Sequence, residues 1–186
     1  MCDDGYPADA GWPEDLGDCE LPHNRHVIRL LGPWQYEPLA RTVLLPDGTT
    51  RAELGDLPPS GKMKLPADWG ATLGDEFRGR VRFIRNFGRP TGLGPHDRVE
   101  LVIAHVDAWA DVYLADQLLG SVPLAARETR FAIQSQLNAR NRLVIEVELP
   151  REEGDSARLS RAGREEMPGG IVGEVRLEIV PRSRPG

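Results

Sequence analysis

From residue 26 to residue 180 the chain is cut into short apolar runs, separated by Gly, Pro, Asp and Asn at intervals of about 8–12 residues. The runs 26–31, 34–39, 41–45, 77–87, 98–105, 108–114, 117–122, 142–149 and 173–180 are rich in Val, Ile, Leu and Phe. Residues of these kinds favour a pleated, half-buried surface. The last run is the plainest, with Val175, Leu177 and Ile179 alternating against Glu174, Arg176 and Glu178. A period of two puts one set on the core face and the other towards water. No window carries a sustained helical stripe except 152–166, and that stretch is charged all round and contains Gly154 and Gly163. Many short strands, frequent turns and almost no helix predict an all-β fold, an antiparallel β-sandwich of jelly-roll type.

The turns have their own signatures. Pro46-Asp47-Gly48 suits a hairpin turn in which Gly supplies positive φ. Ala115-Asp116 is placed for a tight turn between run 108–114 and run 117–122. Residues 57–61 (Leu-Pro-Pro-Ser-Gly) read as a loop, and 65–74, with Pro66, Trp69 and two glycines, read as irregular. Segment 151–168 reads as a long solvated loop with at most one helical turn. The expected organisation is an N-terminal arm over 1–24, a sandwich over 25–182 carrying that loop, and a tail over 183–186.

Charge sharpens this division. The formal net charge is −6, yet residues 1–20 contain seven Asp and Glu and no Lys or Arg, so the remainder is close to neutral. An acidic arm with a neutral body argues against a general nucleic-acid or anionic-membrane binder. The arm is rich in Pro, Gly and Asp and has only Tyr6, Trp12 and Leu16 as large apolar groups, so any order must come from lying on the domain. It has no basic n-region and no apolar run, which gives the expectation of a cytoplasmic protein. Cys2 and Cys19 both fall in the arm and are expected to be free thiols there, or to pair if they meet an oxidising compartment.

Four stretches, in order, resemble the sugar-binding domain of glycoside hydrolase family 2. The first is Leu31-Gly32-Pro33-Trp34-Gln35-Tyr36, similar to the family's Gly-x-Trp strand. The second is Leu65-Pro66-Ala67-Asp68-Trp69, followed by Gly79, Phe83, Arg85, Phe87 and Pro90. The third runs from residue 99 to 120, with Val106-Asp107 ahead of a strand and Leu119-Gly120 on the return; Ala115-Asp116 stands where the family has Asn-Gly. The fourth is Gly169-Gly170-Ile171 and the strand after it. The resemblance covers about 26 to 179 and implies a galactose-binding-like jelly roll. It also implies that the two catalytic carboxylates belong to a barrel of roughly 200–250 residues that is expected to be absent here. No catalytic residue is therefore assigned, and no cofactor.

Each stretch also has a reading that needs no sugar. Ala110, Val112 and Leu114 alternate inward and leave Trp109, Asp111 and Tyr113 on the opposite face. Arg85 shares a strand face with Phe83 and Phe87, so it is expected to anchor the core edge through a hydrogen bond or ion pair. The paired acids Glu152-Glu153 and Glu165-Glu166 read as solvated surface. His23, His26, His96 and His105 lack zinc spacing, and no phosphate-binding or dinucleotide motif is present. No metal site is marked, a structural calcium of the kind found in related modules included.

Sugars are bound by an aromatic face against the pyranose ring, with polar groups reading the hydroxyls. The candidate ligand-binding residues are therefore Trp109, Asp107, Tyr113, Asp111 and Trp69. A carbohydrate-binding or accessory module is the leading expectation. The alternative is a structural module that binds another protein or a second copy of itself, and an enzyme of unrecognised chemistry ranks third.

Overall fold

A computed structural model describes residues 25–107, 109–123, 126–152 and 169–181. The arm over 1–24 with Cys2 and Cys19, most of the charged loop, and the tail over 183–186 lie outside the described residues. The strands in chain order are β1 (His26–Arg29), β2 (Trp34–Leu44), β3 (Thr50–Glu53), β4 (Gly61–Met63), β5 (Ala67–Asp68), β6 (Gly79–Gly88) and β7 (Arg98–Ile103). Then come β8 (Trp109–Leu114), β9 (Gln117–Val122), β10 (Thr129–Ala132), β11 (Arg140–Leu149), β12 (Arg151–Glu152), β13 (Gly170–Ile171) and β14 (Val175–Val180).

Two antiparallel sheets carry the fold. The smaller has the order β1-β14-β7-β10. The larger runs β12-β2-β6-β11-β8-β9, with β3 and β4 also paired to β2 and β12 lying parallel to it. A short ribbon, β13 with β5, closes one end. Among the described residues no helix is long and apolar enough to cross a membrane.

The core lies where the two inner faces meet. From the larger sheet it takes Val81, Phe83, Val112, Leu143, Ile145 and Val147, and from the smaller Val99, Leu101, Ile103, Val175 and Leu177. These are the inward members of each alternation, so the period of two read from the sequence is the period that builds the interior. Register aligns them: Ile145 sits between Phe83 and Val112, and Val147 between Val81 and Ala110. Arg85 donates a hydrogen bond to the Pro33 carbonyl at 2.8 Å, the anchoring role expected of it. The predicted turns also form. Ala115 and Asp116 both take positive φ, +49° and +67°, as a two-residue hairpin loop of this hand requires. Gly48 takes φ +84° in the turn between β2 and β3.

Several boundaries differ from the sequence reading. Runs 34–39 and 41–45 form one strand, β2, whose register against β6 shifts between Pro38 and Ala40. Pro38 is tolerated because β4 pairs only with residues up to Tyr36 and β3 only from Arg41, so its missing N–H falls in the gap. Segment 65–74 is not wholly irregular, because it holds β5 and one helical turn, α1 (Gly70–Leu73). Asp68 Oδ1 accepts from the Gly70 N–H at 2.9 Å at the entry to that turn. Residues 151–152, read as loop, pair with β2.

The other difference is energetic. Glu178 was placed on a water-facing row but is only 4% exposed. Its strand is central in the smaller sheet, and arginines from the same strand, from β10 and from just before β1 fold over it. Arg130 and Arg176 donate to its carboxylate at 2.7 and 2.8 Å, and Arg25 reaches it at 3.3 Å. Glu100 and Glu128 share the same two central arginines, at 3.0 Å to Arg130 and 2.6 Å to Arg176. Burial pushes the Glu178 carboxyl up, but the hydrogen bonds from Arg130 and Arg176 together outweigh it and hold the group below its ordinary value.

A group with a depressed folded pKa contributes stability above its unfolded pKa of about 4.3 and loses it as pH falls through the folded value. Glu178→Gln is therefore expected to cost about 2 kcal/mol at pH 7. In urea unfolding curves taken across pH, the gap to the parent protein should close in acid; a gap independent of pH would contradict the assignment.

Candidate functional site

The outer face of the larger sheet carries a different pattern. On β8 the inward set Ala110, Val112 and Leu114 forces Trp109, Asp111 and Tyr113 onto one outer row. Register then sets their neighbours. Trp109 lies beside Glu148, which lies beside Arg80. Asp111 lies beside Glu146, Glu146 beside Arg82, and Arg82 beside Glu37. Of these, Trp109, Asp111, Glu146, Glu148 and Arg80, with Tyr113 and with Ser121, Val122 and Pro123 at the β9 edge, line a groove of about 500 Å³.

Its polar groups are partly committed to one another. Arg80 donates to Glu148 Oε2 at 2.8 and 3.2 Å, and Arg82 to Glu146 Oε1 at 2.9 Å. The second Arg82 contact, to Glu37, is looser at 3.6 Å. Ser121 Oγ donates to Asp111 Oδ1 at 2.6 Å. Glu148 Oε1 is enclosed and has no hydrogen-bond partner among the described residues. Trp109 and Tyr113 are half-buried, so each keeps part of a ring in contact with the groove, while Asp111 is exposed. Desolvation first, then the charges of Asp111 and Glu146, push the Tyr113 phenol above its ordinary value; Arg80 and Arg82 oppose this without cancelling it.

Three of the five candidate residues are therefore brought together, and two are not. Trp69 is 0% exposed. Its ring lies parallel to Phe83 at 6.5 Å and edge-on to Phe77 at 5.8 Å, so it packs the core and offers no face to a ligand. A β-carbon on Gly169 would lie 2.5 Å from that ring, which is why glycine occupies the position. Asp107 shares strand parity with Trp109 but precedes the strand and is only 2% exposed. Its N–H donates to the Gly170 carbonyl at 2.9 Å, drawing it under the end ribbon, and its Oδ2 has no partner among the described residues. Sequence reasoning missed Arg80, Glu146, Glu148 and Ser121, which reach the groove from other strands. The outward alternation of Glu146 and Glu148 on run 142–149 was readable, but the strand beside them was not.

Among the described residues no group of three or more His, Cys, Asp or Glu is placed to hold a metal ion. Glu146 and Glu148 stand two apart on one strand, each tied to an arginine. The arrangement can present carboxylate acceptors and aromatic surface to a bound molecule.

No protein-family model matches the sequence, and no curated protein matches it significantly. Solved structures do match in fold. Bifidobacterium dentium β-glucuronidase superposes with a TM-score of 0.62 at 22% identity, covering 86% of this chain and 30% of its own. A Faecalibacterium prausnitzii β-glucuronidase gives 0.61 at 18% identity over 85% and 32%. A putative β-galactosidase from Bacteroides fragilis gives 0.59 at 19% identity over 83% and 23%. The fold is thus that of a β-sandwich domain of family 2 glycoside hydrolases, as the four sequence stretches imply. The chain spans less than a third of the length of these three enzymes.

Two measurements test the placements. Trp69→Ala should cost about 3–5 kcal/mol in denaturant unfolding, as for an aromatic lost from a packed core; a near-neutral change would return Trp69 to the surface. In NMR titrations of ring-labelled tyrosine, the Tyr113 signal should move at higher pH than a free phenol, and Asp111→Asn should bring that midpoint down. An unmoved midpoint would separate Tyr113 from the Asp111 charge.

Proposed function

We propose that the chain is a non-catalytic carbohydrate-binding or accessory module whose ligand lies in the groove on the outer face of the larger sheet. The observation that carries this reading is the convergence of Trp109 and Tyr113, both half-buried, with the carboxylates of Asp111, Glu146 and Glu148. An aromatic wall gives apolar contact to the C–H face of a sugar ring, and carboxylate oxygens accept from its hydroxyls. At about 500 Å³ the groove has room for a ring or two of a glycan. Both glutamates are held by arginines, an arrangement that favours fixed acceptors over proton exchange with a substrate. The likeness in fold to glycosidases supports a place beside carbohydrate chemistry, with the cleaving machinery elsewhere.

A second reading, a protein-interaction or scaffold module, has its own support in Leu54, fully exposed on the loop between β3 and β4, and in exposed Leu118 at the β9 edge. A glycan-array screen followed by calorimetric titration separates the two. The proposal expects saturable sugar binding that weakens at least about tenfold in Trp109→Ala, the usual weight of an aromatic anchor. A folded protein that binds no glycan, or a Trp109→Ala variant that binds as well as the parent, would overturn it in favour of the scaffold.

A further inference from the structure

Taking the groove as the carbohydrate site, we infer that it selects a sugar carrying a protonated amine, a 2-amino-2-deoxy hexose unit, over neutral sugars and over uronates. The inference rests on the proposed function and adds the class of ligand.

The groove is rich in carboxylate acceptors, and its lining carries more negative than positive charge. Among the described residues, its lining sets three carboxylates, Asp111, Glu146 and Glu148, against one guanidinium, Arg80. Arg80 is paired with Glu148 through Nε and Nη2, and Arg82, outside the lining, is paired with Glu146. The Ser121 hydroxyl is given to Asp111. What faces a ligand includes the second oxygen of Asp111 and of Glu146, the Nη1 of Arg80, and two half-buried aromatic rings with the Trp109 indole N–H and the Tyr113 hydroxyl. Beside them Glu148 Oε1 is buried with no hydrogen-bond partner among the described residues.

An ammonium group is the complement of such a surface. It brings three donors and no acceptor, and it is attracted both to carboxylates and to aromatic faces. A uronate would bring its negative charge against Asp111, Glu146 and Glu148, which outnumber the one guanidinium lining the groove, Arg80, itself already paired with Glu148, and like charges so placed cost affinity. The raised Tyr113 phenol agrees, because ionising it would add a negative charge beside Asp111 and Glu146. A neutral hexose meets neither the reward nor the penalty.

The test titrates the purified protein calorimetrically with four β-linked oligosaccharides of equal length, made of glucosamine, N-acetylglucosamine, glucose or glucuronate units. The glucosamine oligomer is expected to bind about five- to tenfold tighter than the glucose oligomer, as one or two partly exposed ion pairs would give. That advantage should shrink when salt is raised from about 0.02 to about 0.5 M. Asp111→Asn should weaken binding of the glucosamine oligomer by a larger factor than binding of the glucose oligomer, so that the preference for the amine shrinks. Asp111 is exposed, so the variant is expected to fold, and its melting curve checks that. Glucose or glucuronate units bound as tightly as glucosamine, or a preference indifferent to salt, would overturn the inference. If those sugars still need Trp109, the proposed function stands without this refinement. Failure of all four oligomers to bind would overturn the inference, and no binding across a full glycan array would overturn the proposed function as well.

Discussion

Strand β11 is the constraint on which the larger sheet depends. It lies between β6 and β8 and pairs with both along most of its length. Its inward residues Leu143, Ile145 and Val147 are fully buried and set the register of both neighbours. Because side chains alternate with a period of two, that register also fixes what stands outside. Shifting β11 by one residue would bring Glu146 and Glu148 into the core, at a desolvation cost that no hydrogen bond there could offset. The core thus specifies the groove, although the groove contributes little to the core.

The two outer faces show what different neighbours do to similar chemistry. Both carry alternating arginine and glutamate. On the smaller sheet, arginines from three segments converge on Glu178 and exclude water from it, so charge is consumed in holding strands together. On the larger sheet the ion pairs run in rows across the strands and stop at β8, where Asp111 has a serine rather than an arginine beside it. A charge network that closes on itself is structural. One that ends at an exposed carboxylate beside two aromatic rings leaves polar capacity for something else.

Much of the fold was legible because it rests on local signals. Val175, Leu177 and Ile179 alternate in plain view, and Ala115-Asp116 and Pro46-Asp47-Gly48 mark turns whose geometry follows from the residues themselves. The outward row Trp109, Asp111 and Tyr113 could be read for the same reason. The errors arose where the deciding partner is remote in sequence. Trp69 sits in a stretch of Pro and Gly that reads as a loop, yet Phe77 and Phe83 draw its ring into the interior. Asp107 continues the parity of Trp109 and Asp111, but its contact with Gly170, sixty-three positions away, takes it under the end ribbon. Glu178 fits an outward pattern and is nevertheless enclosed by Arg25 and Arg130.

The amino-acid sequence by itself determined the period, the turns and hence the β-sandwich, because alternation and positive-φ preferences act between near neighbours. It also determined which residues of each strand share a face. Only the tertiary structure decided which strand lies beside which, and so that Arg80 from β6 and Glu148 from β11 share a groove with Trp109 from β8. The physical reason is that burial and electrostatics depend on the whole set of neighbours, and a β-fold draws those neighbours from distant parts of the chain.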